Sequence, residues 1–436
     1  MTPEPDPPAP VRVGLLGCGN VGSALAEILL NGQDEIAART GIRLELAGIA
    51  VASANRPRPD GIPAELFATD AAALVVRAGV DVVVELIGGL HPAQELIEAA
   101  LRAGKPVVTA NKAVLAVAGA ELAELADSGG VDLLYEAAVA GAVPVIRTLR
   151  ESLAGEQIVR VMGIVNGTTN FILTQMEEEG VDFEDALAEA QRLGMAERDP
   201  TADIEGHDAA AKAAILAALA FGSDVVDADV HREGIAGIRA EDVAYANRLG
   251  YSVKLLAVAE LVDGGPELSV RVHPAMVPKT HPLASVRGAF NAVFVEGKVS
   301  GELMLYGRGA GGQPTASAVL GDLVDAARNL RAGAPAPAPK RTSITVRPQP
   351  ELRSEFYLSM DVTEGLGVLA AVAKVFGDHG VSIRAMEQLG WDDEARLIFL
   401  THKAREGDLL GTIDDLRLLQ AVDRIGGVLR VIGEEE

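Results

Sequence analysis

Residues 11–22 read VRVGLLGCGNVG, a short apolar run that passes directly into Gly17-Cys18-Gly19-Asn20-Val21-Gly22. The run 11–17 has the length and composition of a buried parallel strand, and helical spacing follows it through Leu30. A G-x-G-x-x-G turn in that setting has a physical logic. Gly17 permits the tight turn, Gly19 lets the backbone approach a pyrophosphate, and Gly22 lets the helix pack close to the strand. The phosphates then lie at the positive end of the helix. The stretch predicts a dinucleotide-binding fold; a glycine-rich turn without a ligand is the competing reading. Cys18 inside the loop reads as filler in preference to a reactive thiol.

Outward from this turn, apolar strands are expected at 43–53, 81–86, 106–110 and 132–136, with helices at 70–78, 91–103 and 113–129. Alternation of this kind indicates an α/β domain built on a Rossmann-type, doubly wound parallel sheet over residues 11–135. Residues 136–309 read as an α+β substrate and dimerisation domain. Its expected strands are 158–165, 268–277 and 291–297, and its Ala-rich helices 183–193 and 208–221. A helix within 310–330 is expected to return to the nucleotide domain. Residues 331–350, RAGAPAPAPKRTSITVRPQP, read as a stiff Ala-Pro linker. Residues 351–436 show strand, helix, strand, strand, helix, strand, the order of a ferredoxin-like layer. The opening residues 1–10, MTPEPDPPAP, read as disordered and not as a signal peptide.

The chain has 436 residues and a formal net charge of -24, which makes it a poor candidate for nucleic-acid binding. No run of Lys or Arg offsets that charge. Cys18 is the single cysteine, so neither an internal disulfide nor a Cys-rich metal site is available. Apolar runs are too short and interrupted to span a bilayer. The chain therefore reads as cytoplasmic, with no membrane partner.

Isolated charges mark the candidate chemistry. Lys212 is the only charged side chain between Ala209 and Ser223, on a helix apolar enough to be buried. Burial lowers a lysine's pKa toward the range useful for proton transfer. Asp208 lies one turn earlier on the same face and can orient the ammonium; an ordinary surface i,i+4 pair is the alternative. Upstream, Glu197, Asp199, Asp203, Glu205 and Asp208 crowd a loop able to hold an amino group, or merely to be solvated. Lys112, after Asn111, falls at the carboxyl edge of the sheet, where ligands bind in such folds. Glu136 precedes an apolar stretch and suits either backbone hydrogen bonds or a cation. Asn166-Gly-Thr168 formally matches a glycosylation acceptor, but a strand-to-helix turn with Thr caps is expected instead. No acid closes the second strand, so Arg56 or Arg58 stands available for the 2′-phosphate of NADP, or is merely solvated.

The segments GLLGCGNVG, ELIGG, TANKAVLA, YEAAVAGAVPVI, GIVNGTTNFIL, LGMAERDPTADIEGHDAAAK and GRGAGGQPTASAVLGDL occur in this order. In them the chain resembles bacterial homoserine dehydrogenases over nearly its whole length. The resemblance implies reversible reduction of L-aspartate 4-semialdehyde to L-homoserine with NADP or NAD, on the route to threonine, methionine and isoleucine. It implies Lys212 as proton donor and acceptor, with Lys112 beside nicotinamide and substrate and Asp208 also catalytic. Glu197, Asp203 and Asp208 would bind substrate. Gly17, Gly19, Asn20, Val21, Gly22, Lys112, Gly194 and Gly309 would bind cofactor. Glu136, with backbone oxygens of Val139, Gly141 and Val143, would hold sodium. The C-terminal block resembles an ACT domain, whose loop 361–367 would take an amino-acid effector, commonly threonine. A homo-oligomer, dimer or tetramer, is implied as well.

A 2-hydroxy-acid dehydrogenase is the rival enzyme, but it needs a His–acid pair that His207 and His231 do not visibly form. A nucleotide-binding amino-acid sensor is the non-enzymatic rival.

Overall fold

The computed structural model describes residues 9–53, 61–336, 341–342, 344–391 and 394–433. Arg56 and Arg58 lie outside the described residues, as do residues 1–8 and 337–340. The chain divides into two compact units. The first comprises residues 1–155, 218–227 and 307–342; the second comprises 156–217, 228–306 and 343–436.

In the first unit six parallel strands lie in the order Phe67–Ala68, Leu44–Ala50, Val11–Leu16, Val82–Glu85, Val107–Thr109, Leu133–Leu134. The strand Val82–Glu85 explains the layering. Val82 and Val84 enter one apolar core and Val83 the other, so both faces of the sheet are covered. The expected returning helix is present as Gly312–Ala332. Its Ala316, Val319 and Leu323 join the same core as Leu25 and Leu29 of the helix Asn20–Asn31.

Two expectations are corrected here. The strand expected at 132–136 is only Leu133–Leu134, because Glu136 already opens a 3₁₀ turn, Glu136–Ala138. The segment 331–350 is not a plain extended linker. The helix Gly312–Ala332 runs into it, and Thr345–Val346 pairs parallel with Glu267 and Leu268. Of the segment 1–10 only Ala9 and Pro10 lie among the described residues, and the Ala9 carbonyl accepts from Arg331 at 2.6 Å.

In the second unit one mixed sheet runs through Gly301–Arg308, Phe290–Gly297, Ile158–Ile164, Tyr251–Leu261, Glu267–Pro278, Val422–Val431, Arg353–Thr363, Glu394–Thr401 and Ile383–Trp391. Tyr251–Leu261 and Gly301–Arg308 were not expected from the pattern. The first is a buried apolar run, which has no period that separates strand from helix, whereas the second has no buried residue. The last four strands, with helices Val368–Asp378 and Glu406–Leu416, form the expected ferredoxin-like layer. Phe356, Leu358, Met360 and Val362 face Val372, Phe376, Leu409 and Ile413 in its core. The layer joins the rest of the sheet where Ala275 and Met276 pair with Arg430 and Val431. No helix among the described residues is long and apolar enough to cross a membrane.

Lys254, in the strand Tyr251–Leu261, is 1% exposed and donates to the carbonyl of Val286 at 2.7 Å. Burial pulls its pKa down to about 8 from 10.5, against Glu177 and Glu178, which favour the charge. Between those values the unfolded chain holds the proton and the folded chain does not, so stability rises with pH from about 8 to about 10.5. Below pH 8 the burden is full, on the order of 3 kcal/mol. Lys254→Met should therefore melt higher than the parent at pH 7, with the gap closing by pH 10. A gap that is negative and the same at both pH values would contradict this account.

Candidate active site

In the first unit the strand Val11–Leu16 delivers the chain to the carboxyl edge of the sheet, and the helix Asn20–Asn31 leads away. Gly17 has φ +96°, and a Cβ there would sit 2.6 Å from the carbonyl oxygen of Leu86. A Cβ on Gly22 would be 2.3 Å from the carbonyl oxygen of Gly17. These two glycines close the turn. Gly19 differs: a Cβ there meets no atom within 4 Å. Gly19 caps the helix without a side chain, and no acid occupies the first turn at Asn20, Val21 and Gly22. The empty space over an uncapped, unopposed helix start fits a pyrophosphate.

Beside it, Glu85 ends the strand Val82–Glu85 with no solvent exposure. Its carboxylate accepts from the backbone of Ile87 (2.7 Å) and Gly88 (3.3 Å) and from Thr109 Oγ1 (2.7 Å). Thr109 Oγ1 in turn accepts from the Asn111 backbone at 3.0 Å. Asn111 donates to the Gly89 carbonyl at 2.8 Å and caps the helix Lys112–Gly129. This network fixes the loop after one strand against the turn after the next, and sets exposed Lys112 on the first turn of its helix. Glu85 and Thr109 escaped the sequence reading; a lone acid closing an all-Val strand was the available signal. Glu85→Ala should lower stability by about 1–3 kcal/mol for each buried donor it orphans and should raise the KM for the dinucleotide. Equilibrium unfolding and cofactor titration check both.

Glu136 is buried, and burial pushes its carboxyl up. Its oxygens accept from the backbone of Ile146 (2.9 Å) and Arg147 (2.8 Å). Its own N–H donates to Asp322 at 2.7 Å. Ala140 and Gly141 follow with φ of +56° and +57°, a left-handed turn that strains Ala140. A Cβ on Gly141 would fall 2.4 Å from the carbonyl oxygen of Gly309, which brings those two sequence-predicted glycines together. Among the described residues no group of three or more His, Cys, Asp or Glu side chains could hold a metal. A cation at this turn would rest on Glu136 and backbone oxygens. The carboxylate has lone pairs to spare beyond its two backbone bonds, so the residues fit such an ion.

In the second unit Lys212 lies on the helix His207–Phe221, its side chain 11% exposed and that of Asp208 7%. Lys212 Nζ donates to Asp208 Oδ2 at 2.6 Å and to the Val165 carbonyl at 2.7 Å. Asn166 Nδ2 donates to Asp208 at 2.8 Å and to Asp203 at 2.7 Å. Four side chains, buried Lys212, Asp208 and Asn166 and half-buried Asp203, thus form one chain of charge-assisted bonds. The pair is a buried one, not the surface pair held open by the spacing. Asn166, and not a threonine, caps the helix Gly167–Glu179, accepting from Thr169 N at 2.9 Å. Its place after an apolar strand was legible; its bridging role was not. Thr168 donates to the Met195 carbonyl at 3.0 Å, tying down the turn in which Gly194 adopts φ +72°. Glu197 follows, exposed, and its backbone oxygen accepts from Gln191.

In the ferredoxin-like layer Asp361 is occupied. Arg396 donates to it at 2.8 Å, Arg424 through Nε at 3.1 Å, and Arg239 stands at 3.8 Å. Leu366, in the expected effector loop, is fully exposed.

Comparison with known proteins is uniform. The family described as "Homoserine dehydrogenase, NAD binding domain" matches residues 17–136, and that described as "Homoserine dehydrogenase" matches 144–324. The chain is 50% identical over 435 residues to homoserine dehydrogenase of Corynebacterium glutamicum, covering 99% of this chain and 98% of that protein. A crystal structure of a homoserine dehydrogenase from Thiobacillus denitrificans superposes with TM-score 0.90 at 40% identity, covering 97% of this chain and 98% of the other. A hyperthermophilic archaeal homoserine dehydrogenase in complex with NADPH matches with TM-score 0.61 at 30% identity, covering 74% and 98%.

Proposed function

The chain belongs to the homoserine dehydrogenase family of NAD(P)-dependent oxidoreductases, and from that premise we propose that it reduces L-aspartate 4-semialdehyde reversibly to L-homoserine. The observation that carries this reading is Lys212, an ammonium buried on an apolar helix and held by Asp208 and the Val165 carbonyl. The nicotinamide, when bound, supplies or accepts the hydride at the substrate carbon. Lys212 gives its proton to the oxygen left negative by that transfer, and recovers one in the reverse direction. Asp208 holds the ammonium in place and is itself steadied by Asn166. Asp203, Asp208 and Glu197 bind the substrate's amino group. The exposed carboxylate of Glu197 is available for it, whereas Asp203 and Asp208 already share Asn166. Lys112, set by the Glu85–Thr109–Asn111 network, contacts cofactor and substrate.

The residues Gly17, Gly19, Asn20, Val21 and Gly22 hold the pyrophosphate, with Gly194 and Gly309 as further cofactor contacts. Sodium rests on Glu136 and the backbone oxygens of Val139, Gly141 and Val143, where it offsets buried negative charge and stiffens the strained turn. Residues 351–436 serve as an ACT-type regulatory domain, with residues 11–135 the nucleotide domain and 136–309 the substrate and dimerisation domain. An amino acid, threonine by family habit, binds the loop 361–367. Because three arginines already surround Asp361, backbone groups of that loop are the better candidates for its recognition. The enzyme works in the cytoplasm as a dimer or tetramer, in the synthesis of threonine, methionine and isoleucine.

Following NADPH absorbance with aspartate semialdehyde, and NADP+ or NAD+ with homoserine, tests the reading. Oxidation of NADPH only in the presence of the aldehyde is expected. No turnover in either direction with either cofactor would end it.

A further inference from the structure

Within the second unit, away from the Lys212 chain, lies a cavity of about 1150 Å³. Its lining is rich in cations in a chain that carries 62 acidic against 38 basic residues. Most of these cations are spoken for. Arg271 pairs with Glu260 at 2.7 Å, Arg384 with Glu355 at 2.8 Å and Arg160 with Glu296 at 2.7 Å; buried Arg430 pairs with Glu233 and Glu406.

Arg353 and Lys403 are different. Both are exposed at the cavity, and neither has a carboxylate within ion-pair distance among the described residues. Exposed Arg405 is in the same position and lines an adjoining cavity of about 500 Å³ that shares Arg353 and Arg271 with the first. Arg353 and Arg405 are moreover directly opposite each other in an antiparallel ladder. Like charges so placed repel and destabilise the pairing. An anion between them reverses the sign of that term, and guanidinium groups bind oxyanions with particular strength.

We propose that this cavity and the adjoining one, joined at Arg353, bind a small organic oxyanion carrying at least two negative charges, a phosphoryl or dicarboxylate compound, recognised by Arg353, Lys403 and Arg405. Arg271, on the strand Glu267–Pro278, lines both cavities, while the three recognising cations belong to the ferredoxin-like layer. A ligand here therefore bears on both parts of the continuous sheet.

The test uses the full chain saturated with NADP+, so that the glycine turn is already filled. Inorganic pyrophosphate and succinate are titrated separately at constant ionic strength, read by calorimetry and by melting temperature. Saturable binding of at least one is expected, and which one binds identifies the phosphoryl or the carboxylate source. The double variant Arg353→Gln/Lys403→Gln loses two cationic contacts and should bind at least about ten-fold more weakly, with unchanged NADP+ affinity and a melting temperature no lower than the parent's, because the repulsion between Arg353 and Arg405 is relieved. Should the double variant melt lower, Arg405→Gln is read in its place with the same expected weakening. No saturable binding of either anion at millimolar concentration, or equal affinity in parent and variant, overturns the proposal. Either result leaves the dehydrogenase reading standing, since that reaction is assayed without added anion.

Discussion

Lys212→Ala should lower kcat by roughly 10²–10⁴-fold, the usual worth of general acid–base assistance, while leaving the affinity for NADPH unchanged. The argument rests on where the ammonium is held. Its bonds to Asp208 and to the Val165 carbonyl hold the ammonium in place and orient its protons. Alanine removes the proton and takes a charge-assisted partner from buried Asp208, so some loss of stability accompanies the loss of rate. Separating the two effects takes a paired measurement: single-turnover rate with aspartate semialdehyde, and NADPH binding by fluorescence. A variant that turns over near the parental rate removes Lys212 from the mechanism.

The second large effect is expected at Gly19. Gly19→Val should fold and melt like the parent, because an added Cβ has open space around it, with no protein atom within 4 Å, and the residue's φ of -83° suits any amino acid. Yet the side chain fills the space that the pyrophosphate needs. Losing two charge-assisted bonds to the helix start costs about 3–6 kcal/mol, so the KM for the dinucleotide should rise at least about 100-fold. Gly17→Val is the contrasting control. There the left-handed φ and the nearby Leu86 carbonyl make any Cβ a folding defect, so the melting temperature falls too. Unchanged cofactor affinity in Gly19→Val would place the nucleotide somewhere other than the turn.

The nucleotide-binding half of the site was legible because its determinants are local. Strand, turn and helix follow one another within residues 11–31, and each glycine's reason lies within or beside that turn. The doubly wound sheet was legible too, through runs such as Val82–Glu85 whose every residue is buried. The strand Tyr251–Leu261 was missed because eight consecutive buried positions carry no alternation, and Lys254 among them gives no hint of its burial. Asp361 read as part of a ligand loop, and nothing nearby in sequence announces that Arg396 and Arg424 hold it.

By itself, then, the sequence determined the chain's layered α/β character, the glycine-rich strand–turn–helix that opens it, and the short list of charges worth watching. These follow from propensity and spacing over a turn or two of chain. Tertiary structure alone decided which of those charges are sequestered and which are quenched. Lys212 gains its meaning from a carbonyl 47 residues earlier, and Asp361 loses its freedom to an arginine 63 residues later. Burial and ion pairing depend on neighbours brought together by the whole fold, and electrostatic energies turn on separations of a few ångströms that no local pattern encodes.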